Sequence, residues 1–179
     1  MSERKVILYI AASLDGFIAK KNDDISFLSM VENPGEDYGY GEFIKTVDTV
    51  IMGRKTYDKV LTFGIGFPHK GRKCYVLSRT KEGTDENVEY YNGHLNDLIQ
   101  NLKKVDGKNI FIDGGAGAIK ELKEQNLIDE YVISIIPVLL GNGIRLFAET
   151  ENESGLQFVE SKTFDTGLVQ LHYRTVIDQ

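Results

Sequence analysis

Asn109-Ile-Phe-Ile-Asp-Gly-Gly-Ala-Gly-Ala118 is the stretch whose reading decides the fold. A short apolar run reads as a buried strand, and the small residues that follow open a helix over Ala116 to Gln125. Two earlier strands end in a similar way. One ends at Gly53-Arg-Lys-Thr56 and the other at Ser78-Arg-Thr80. In open α/β sheets, ligands bind beyond the carboxyl ends of the strands. If these three strands run parallel, glycines, cations and a helix N-terminus share one edge of the sheet. There the backbone can approach a pyrophosphate, free N–H groups can receive it, and Arg54 and Arg79 can meet further phosphate charge.

The pattern extends outward in both directions. Val6 to Ala12 is an apolar run, read as a central strand, and Asp15-Gly16 is a turn before a brief strand at Phe17 to Ala19. Residues 20 to 35 read as loop. Tyr40, Phe43, Ile44 and Val47 mark one face of a helix expected from Glu36 to Thr46. Strands are expected at Asp48 to Gly53, Cys74 to Leu77, Val88 to Tyr91 and Tyr131 to Ile136, with helices at Lys55 to Leu61 and His94 to Val105. Leu156 to Ser161 and Leu168 to Ile177 read as a C-terminal antiparallel hairpin around Asp165-Thr-Gly167. Alternating strands and helices followed by a hairpin imply a three-layer α/β sandwich on a mixed, largely parallel sheet. No repeat or shift of composition divides the chain, so residues 1–179 read as one domain.

Composition narrows the function. With 41% hydrophobic residues among 179, the chain can build a substantial core. A net charge of −6 argues against nucleic-acid or acidic-membrane partners, which require a basic field. No segment approaches the roughly 18 consecutive apolar residues of a membrane span, so the expectation is a cytoplasmic protein. The single cysteine, Cys74, lies in an apolar run and reads as a small buried hydrophobe. His69, His94 and His172 lie far apart, without metal-ligand spacing, and read as surface or strand-end residues; no metal is expected.

Competing motifs fail on their details. From Gly115 the sequence reads Gly-Ala-Gly-Ala-Ile-Lys, which lacks the third small residue of a Rossmann fingerprint, and the next strand ends Ile135-Ile-Pro137 without the acid that fingerprint needs. There is no Gly-x-x-x-x-Gly-Lys-Ser/Thr, His-Glu-x-x-His or Gly-x-Ser-x-Gly.

Ile10-Ala-Ala-Ser-Leu-Asp-Gly-Phe-Ile-Ala19, Val50-Ile-Met-Gly-Arg-Lys-Thr-Tyr57, Val76-Leu-Ser-Arg79 and Ile112-Asp-Gly-Gly115 resemble, in order, the landmarks of the dihydrofolate reductase superfamily. Ser13-Leu-Asp-Gly16 and Pro137-Val-Leu-Leu-Gly-Asn-Gly-Ile-Arg-Leu-Phe147 resemble one branch more closely: the reductase of riboflavin biosynthesis, the RibD C-terminal domain. No deaminase zinc signature accompanies it, so a stand-alone reductase is expected.

The resemblance implies NADPH as cofactor and a part for each matching residue. Ala12 and Ile18 would flank the nicotinamide. Gly53, Arg54, Lys55 and Thr56 would hold phosphates, with Arg54 near the adenosine 2′-phosphate. Leu77, Ser78 and Arg79 would bracket the adenosine, and Gly114, Gly115, Ala116, Gly117 and Ala118 would take the pyrophosphate. Asp37 stands where dihydrofolate reductases carry a buried acid that orients the pterin and helps supply a proton. Here Tyr38-Gly-Tyr-Gly41 replaces the family's Trp-Phe pair, and Asp37 also reads as an N-terminal acid favouring the helix dipole. Riboflavin-pathway reductases grip a ribose phosphate with a basic helix, whereas the helix expected here is acidic. The reaction implied is hydride transfer to a small heterocyclic, pterin- or pyrimidine-type substrate, as in a dihydrofolate reductase or a 5-amino-6-(5-phosphoribosylamino)uracil reductase. The alternative is a non-catalytic dinucleotide-binding or regulatory protein that keeps the cofactor cleft. The exposed hairpin and the resemblance both point to a homodimer.

Overall fold

The computed structural model describes residues 3–176. Eleven strands and four α-helices follow one another in the order β1 (Val6–Ser13), β2 (Phe17–Ala19), α1 (Tyr40–Lys45), β3 (Val47–Gly53), α2 (Arg54–Leu61), β4 (Lys73–Leu77), β5 (Gly83–Thr84), β6 (Glu89–Tyr91), α3 (Leu95–Lys103), β7 (Asn109–Gly114), α4 (Ala116–Glu124), β8 (Glu130–Ile136), β9 (Ile144–Arg145), β10 (Leu156–Thr163) and β11 (Val169–Thr175). Nine strands form one sheet in the order β10-β11-β8-β1-β7-β3-β4-β6-β5, while β2 and β9 pair separately. The six strands from β8 to β6 are parallel, and β10, β11 and β5 run antiparallel to their neighbours.

Strand alternation distributes side chains to two helical layers. Leu8, Ile51, Ile110 and Ile112 face α3 and α4, whose Leu98, Ile99, Leu102, Ile119 and Leu122 fill the space between. Val50, Met52, Val76 and Phe111 face the other way, against Tyr57 of α2 and Phe43 and Ile44 of α1. A third cluster joins Phe27 and Val31 to Ile136 and Leu168. The three-layer sandwich, the mixed sheet and the terminal hairpin are therefore all present. Cys74 is buried, and burial, with the Asp113 carboxylate second, pushes its thiol up to about 11. Among the described residues no helix is long and apolar enough to cross a membrane.

The structure corrects some boundaries. The helix expected over residues 36–46 begins only at Tyr40, because Gly39 turns left-handed at φ 83° before it. Residues 20 to 35 contain two short 3₁₀ segments, Lys21–Asp23 and Ser26–Val31, the second burying Phe27 and Val31. The short strands β5 and β9 carry no apolar pattern and were not expected. Ile177, the expected end of the hairpin, lies outside the described residues.

Arg4 ties the start of the chain to three elements. Its Nε donates to Lys108 O at 2.7 Å, Nη1 to Leu102 O at 2.9 Å, and Nη2 to Asp48 Oδ1 at 2.5 Å and Thr49 Oγ1 at 2.8 Å. Arg4→Leu would remove this donor from two carbonyls and deprive the Asp48 carboxylate of its ion-pair partner, leaving it the Lys108 N–H and Thr49 hydroxyl. It is expected to lower the unfolding free energy by about 2–4 kcal/mol in urea titrations. Arg4→Lys should recover only part of that loss, since an ammonium lacks the fork geometry.

A second polar anchor predicts the acid limb of stability. Burial alone would raise the Asp85 carboxyl. It is opposed by donors from Asn87 N, Tyr57 Oη, Val88 N and Tyr90 Oη, all at 2.8–2.9 Å, which bring it down from 3.8 to about 2. A folded-state value below the unfolded one stabilises above pH 3.8 and is lost as pH falls towards about 2. Asp85→Asn should be less stable at neutral pH and should flatten the stability slope across that window in acid titrations followed by circular dichroism.

Candidate active site

The adjacent strands β7, β3 and β4 end together, and beyond their carboxyl ends lies a cavity of about 1160 Å³. Ile18, Gly53, Arg54, Lys55, Thr56, Leu77, Ser78, Arg79, Gly114, Gly115, Ala116, Gly117 and Ala118 all line it. The structure thus brings together every cofactor-contacting residue expected from sequence except Ala12. Ala12 is 1% exposed in the cluster beneath α3 and α4, and its neighbour Ala11 lines the cavity. Successive strand residues face opposite sides, so a displacement of one position exchanges core for cavity.

Two helices open onto this cavity. α2 starts after Gly53 and α4 after Gly115, and neither has a side-chain cap. Uncapped first-turn N–H groups and the positive end of the helix dipole form an anion site. The two helix starts lie close, and the approach depends most on Gly115. A Cβ on Gly115, whose φ is +93°, would come within 3.2 Å of Gly53 Cα and of Thr56 Oγ1. No Cβ contact within 4 Å arises at Gly117, one turn position further into α4.

The cations differ in availability. Arg54 Nε is bound to both oxygens of Asp58, at 2.9 and 3.0 Å, while its guanidinium lies 5.9 Å from the centre of the Tyr90 ring. Arg79 and Lys55 form no ion pair among the described residues. Ser78 Oγ accepts the Lys81 N–H at 2.9 Å, fixing the turn that carries Arg79. Glycines that admit close approach, two bare helix ends and unpaired cations together fit a phosphorylated dinucleotide.

A groove of about 660 Å³ adjoins the cavity and shares Ile10, Ala11 and Leu28 with it. Tyr9, Val31, Ser134, Ile136 and Leu168 form much of its wall, and Glu32, Glu36 and Asp37 also line it. Asp37 lies in the turn before α1, not on the helix, and is exposed. Its Oδ1 accepts from Gly39 N at 2.8 Å and its Oδ2 from Gly41 N at 2.9 Å. Tyr38 takes a left-handed φ of 56°, unusual for an aromatic residue. Its carbonyl accepts from Tyr9 Oη at 2.9 Å and from Gln170 Nε2 at 3.2 Å, and its hydroxyl donates to Val31 O.

Three acids lie in the cavity wall, Asp23, Asp113 and Glu121, and none had a cofactor or catalytic part assigned from sequence. Asp113, 23% exposed, accepts from His69 Nε2 at 2.8 Å. His69 is corrected from a surface residue to a buried one: it is 2% exposed, wedged against Phe67 and Phe111, with Nδ1 lacking a partner. Tyr40 is pushed up to about 12, first by burial and then by the Asp113 charge. The signal for Asp113 was its place immediately before the glycine pair; for His69 there was none, because the loop that buries it has no periodicity.

Comparison with known proteins gives one consistent picture. Residues 69–170 match the family model described as the RibD C-terminal domain. The uncharacterised protein YwjB of Bacillus subtilis (strain 168) is 44% identical over 172 residues, covering 96% of this chain and 98% of YwjB. A crystal structure from Shewanella sp. PV-4, provisionally assigned to riboflavin biosynthesis, is 34% identical with a TM-score of 0.89, over 97% of this chain and 99% of that one. Dihydrofolate reductase from Enterococcus faecalis, complexed with NADP(H) and RAB-propyl, shares the fold at a TM-score of 0.66 and 18% identity, over 96% of each chain.

The glycine geometry predicts opposite outcomes at two neighbouring positions. Gly115→Val must strain a positive φ and push β3 from β7, so its melting temperature should fall, at a cost of about 1–3 kcal/mol. Gly117→Val projects into open space and should leave the melting temperature unchanged or slightly raised. Differential scanning calorimetry of both variants checks this.

Proposed function

The chain belongs to the RibD C-terminal domain family, and from that premise we propose that it is an NADPH-dependent reductase acting on a small heterocyclic substrate of pterin or pyrimidine type. One observation carries the reading: a cavity with two bare helix N-termini and unpaired cations runs into a groove with apolar walls. NADPH, when bound, supplies the hydride. The protein's own task is to bind and orient both partners and to exclude water between them.

The residues divide this work by position. Gly114, Gly115 and the first turn of α4 would receive the pyrophosphate. Arg79, Lys55 and the free Nη groups of Arg54 would meet the 2′-phosphate. Ile18, Ile10 and Ala11 would bound the nicotinamide where the two spaces join. Asp37, on the groove lining, would deliver the matching proton through a water it orients. The homodimer expected from sequence would use the outer edge strand β10, where Leu156, Phe158 and Val159 are exposed.

A second reading is favoured by one observation. Both oxygens of Asp37 already serve backbone N–H groups, as a helix-capping acid's would. A dinucleotide-binding protein without turnover would show that arrangement. NADPH oxidation against a panel of pterins and pyrimidines separates the two readings, and turnover is the expected result.

Cofactor titrations followed by fluorescence test the binding assignment. NADPH is expected to bind more tightly than NADH. Arg79→Gln should cost NADPH about 1.5–3 kcal/mol, the worth of a hydrogen bond to a charged group, and leave NADH nearly unaffected. Gly117→Val should weaken both cofactors alike, because its side chain would occupy the pyrophosphate's space. Equal affinity of the wild-type protein for NADPH and NADH would refute the part given to Arg79.

A further inference from the structure

The joined spaces differ in their charged lining. Arg54, Lys55, Lys59 and Arg79 line the first cavity together with Asp23, Asp113 and Glu121, so cations predominate there. No lysine, arginine or histidine lines the second groove among the described residues; its charged lining is Glu32, Glu36 and Asp37. The polar floor offers an anion little more. Gln170 Nε2 is spent on Tyr9 Oη and Ser134 Oγ, both at 3.1 Å, and on Tyr38 O; Tyr9 Oη donates to the same carbonyl. Of these donors only the Ser134 hydroxyl hydrogen has no recorded acceptor. A phosphate or carboxylate held by a protein needs cations or several free N–H donors. The groove supplies no cation, its lining offers one side-chain amide donor, Asn33, among the described residues, and three carboxylates oppose any such group.

We propose that the groove takes a neutral or cationic heterocycle bearing no phosphate or carboxylate. The inference rests on the reductase reading and names the substrate class of that same site. Its chemistry is coherent with hydride transfer: a heterocycle protonated at a C=N nitrogen is the better hydride acceptor, and its positive charge is the charge this lining attracts. The two spaces thus differ in sign, with the polyanionic cofactor where cations predominate and the acceptor where the charged lining is acidic.

The test is a calorimetric titration of the NADP⁺-loaded protein at low ionic strength. The probes are three aminopyrimidine ribosides identical except at the 5′ carbon, which carries a hydroxyl, an ammonium or a phosphate. The phosphate form is expected to bind at least tenfold more weakly than the hydroxyl form, and the ammonium form at least as tightly as the hydroxyl form. Glu32→Lys, at an exposed position whose side chain has no hydrogen-bond partner, should narrow that gap and leave the affinity for NADP⁺ unchanged. A phosphate form that binds as tightly as the hydroxyl form, or more tightly, overturns the inference alone. Binding of NADP⁺ with no binding of any riboside overturns the groove as the acceptor site. Failure of NADP⁺ itself to bind defeats the reductase reading on which the inference stands.

Discussion

Gly53 and Gly115 touch, and the site depends on that contact. β3 and β7 are neighbours in parallel, and each passes at its carboxyl end directly into a helix, through Gly53 in one case and Gly115 in the other. A Cβ on Gly115 would bring the clash to 3.2 Å of Gly53 Cα and widen the spacing. With glycine at both positions, α2 and α4 start side by side and turn two positive helix ends towards one space. No single side chain could create that field; it comes from backbone geometry, and the cations Lys55 and Arg79 add to it. The rest of the sheet serves to hold the two strand ends in register, through cores on both faces whose side chains alternate along β1, β3 and β7.

The same sheet places acid along the ligand path. Asp113 lies on β7 next to the glycine pair in the cavity wall, and its partner His69 comes from the loop between α2 and β4, so a part-buried hydrogen bond ties that loop to the sheet beside the cavity. Glu32, Glu36 and Asp37 come from the segment that leads into α1. Like charges brought this close carry a cost, and two of the three reduce it by accepting backbone N–H groups of Tyr38, Gly39 and Gly41. Those hydrogen bonds also hold Tyr38 in a left-handed conformation that its side chain disfavours, so the acids shape the groove mouth as well as charge it.

How much of this was legible in the sequence follows from what each signal depends on. Buried parallel strands announce themselves as continuous apolar runs, and Val6 to Ser13, Val47 to Gly53 and Asn109 to Gly114 fall where such runs lie. The cavity residues were legible for a related reason: glycines and cations that follow a strand directly are held at its end. Signals that depend on tertiary packing were lost. Tyr40, Phe43 and Ile44 have helical spacing, but the spacing says nothing of where the first turn begins, and Gly39 sets that start by its φ. Ala11 and Ala12 are identical in chemistry, so only the pleat of the folded strand separates the cavity-facing one from the buried one. His69 is buried by Phe67 and Phe111, one of them more than 40 positions away, and Asp113 acquires its partner only when that loop closes.

The features that weaken the fold collect around the ligand path. Two helix starts have glycine in place of a side-chain cap, which ordinarily costs a few tenths of a kcal/mol each. Tyr38 is strained, and His69 Nδ1 is buried without a partner. Elsewhere Arg4 serves four acceptors and Asp85 receives four donors, although Arg72 Nε is buried without a partner. A chain selected for stability alone would place serine, threonine or aspartate before α2 and α4. Glycine there gives up that stabilisation, and what it gains is bare N–H groups, close approach and positive potential, all directed at one cavity. That is the pattern expected where local rules yield to ligand binding. It argues that the cavity, not the acidic turn at Asp37, is the part of this site most strongly constrained by its physics.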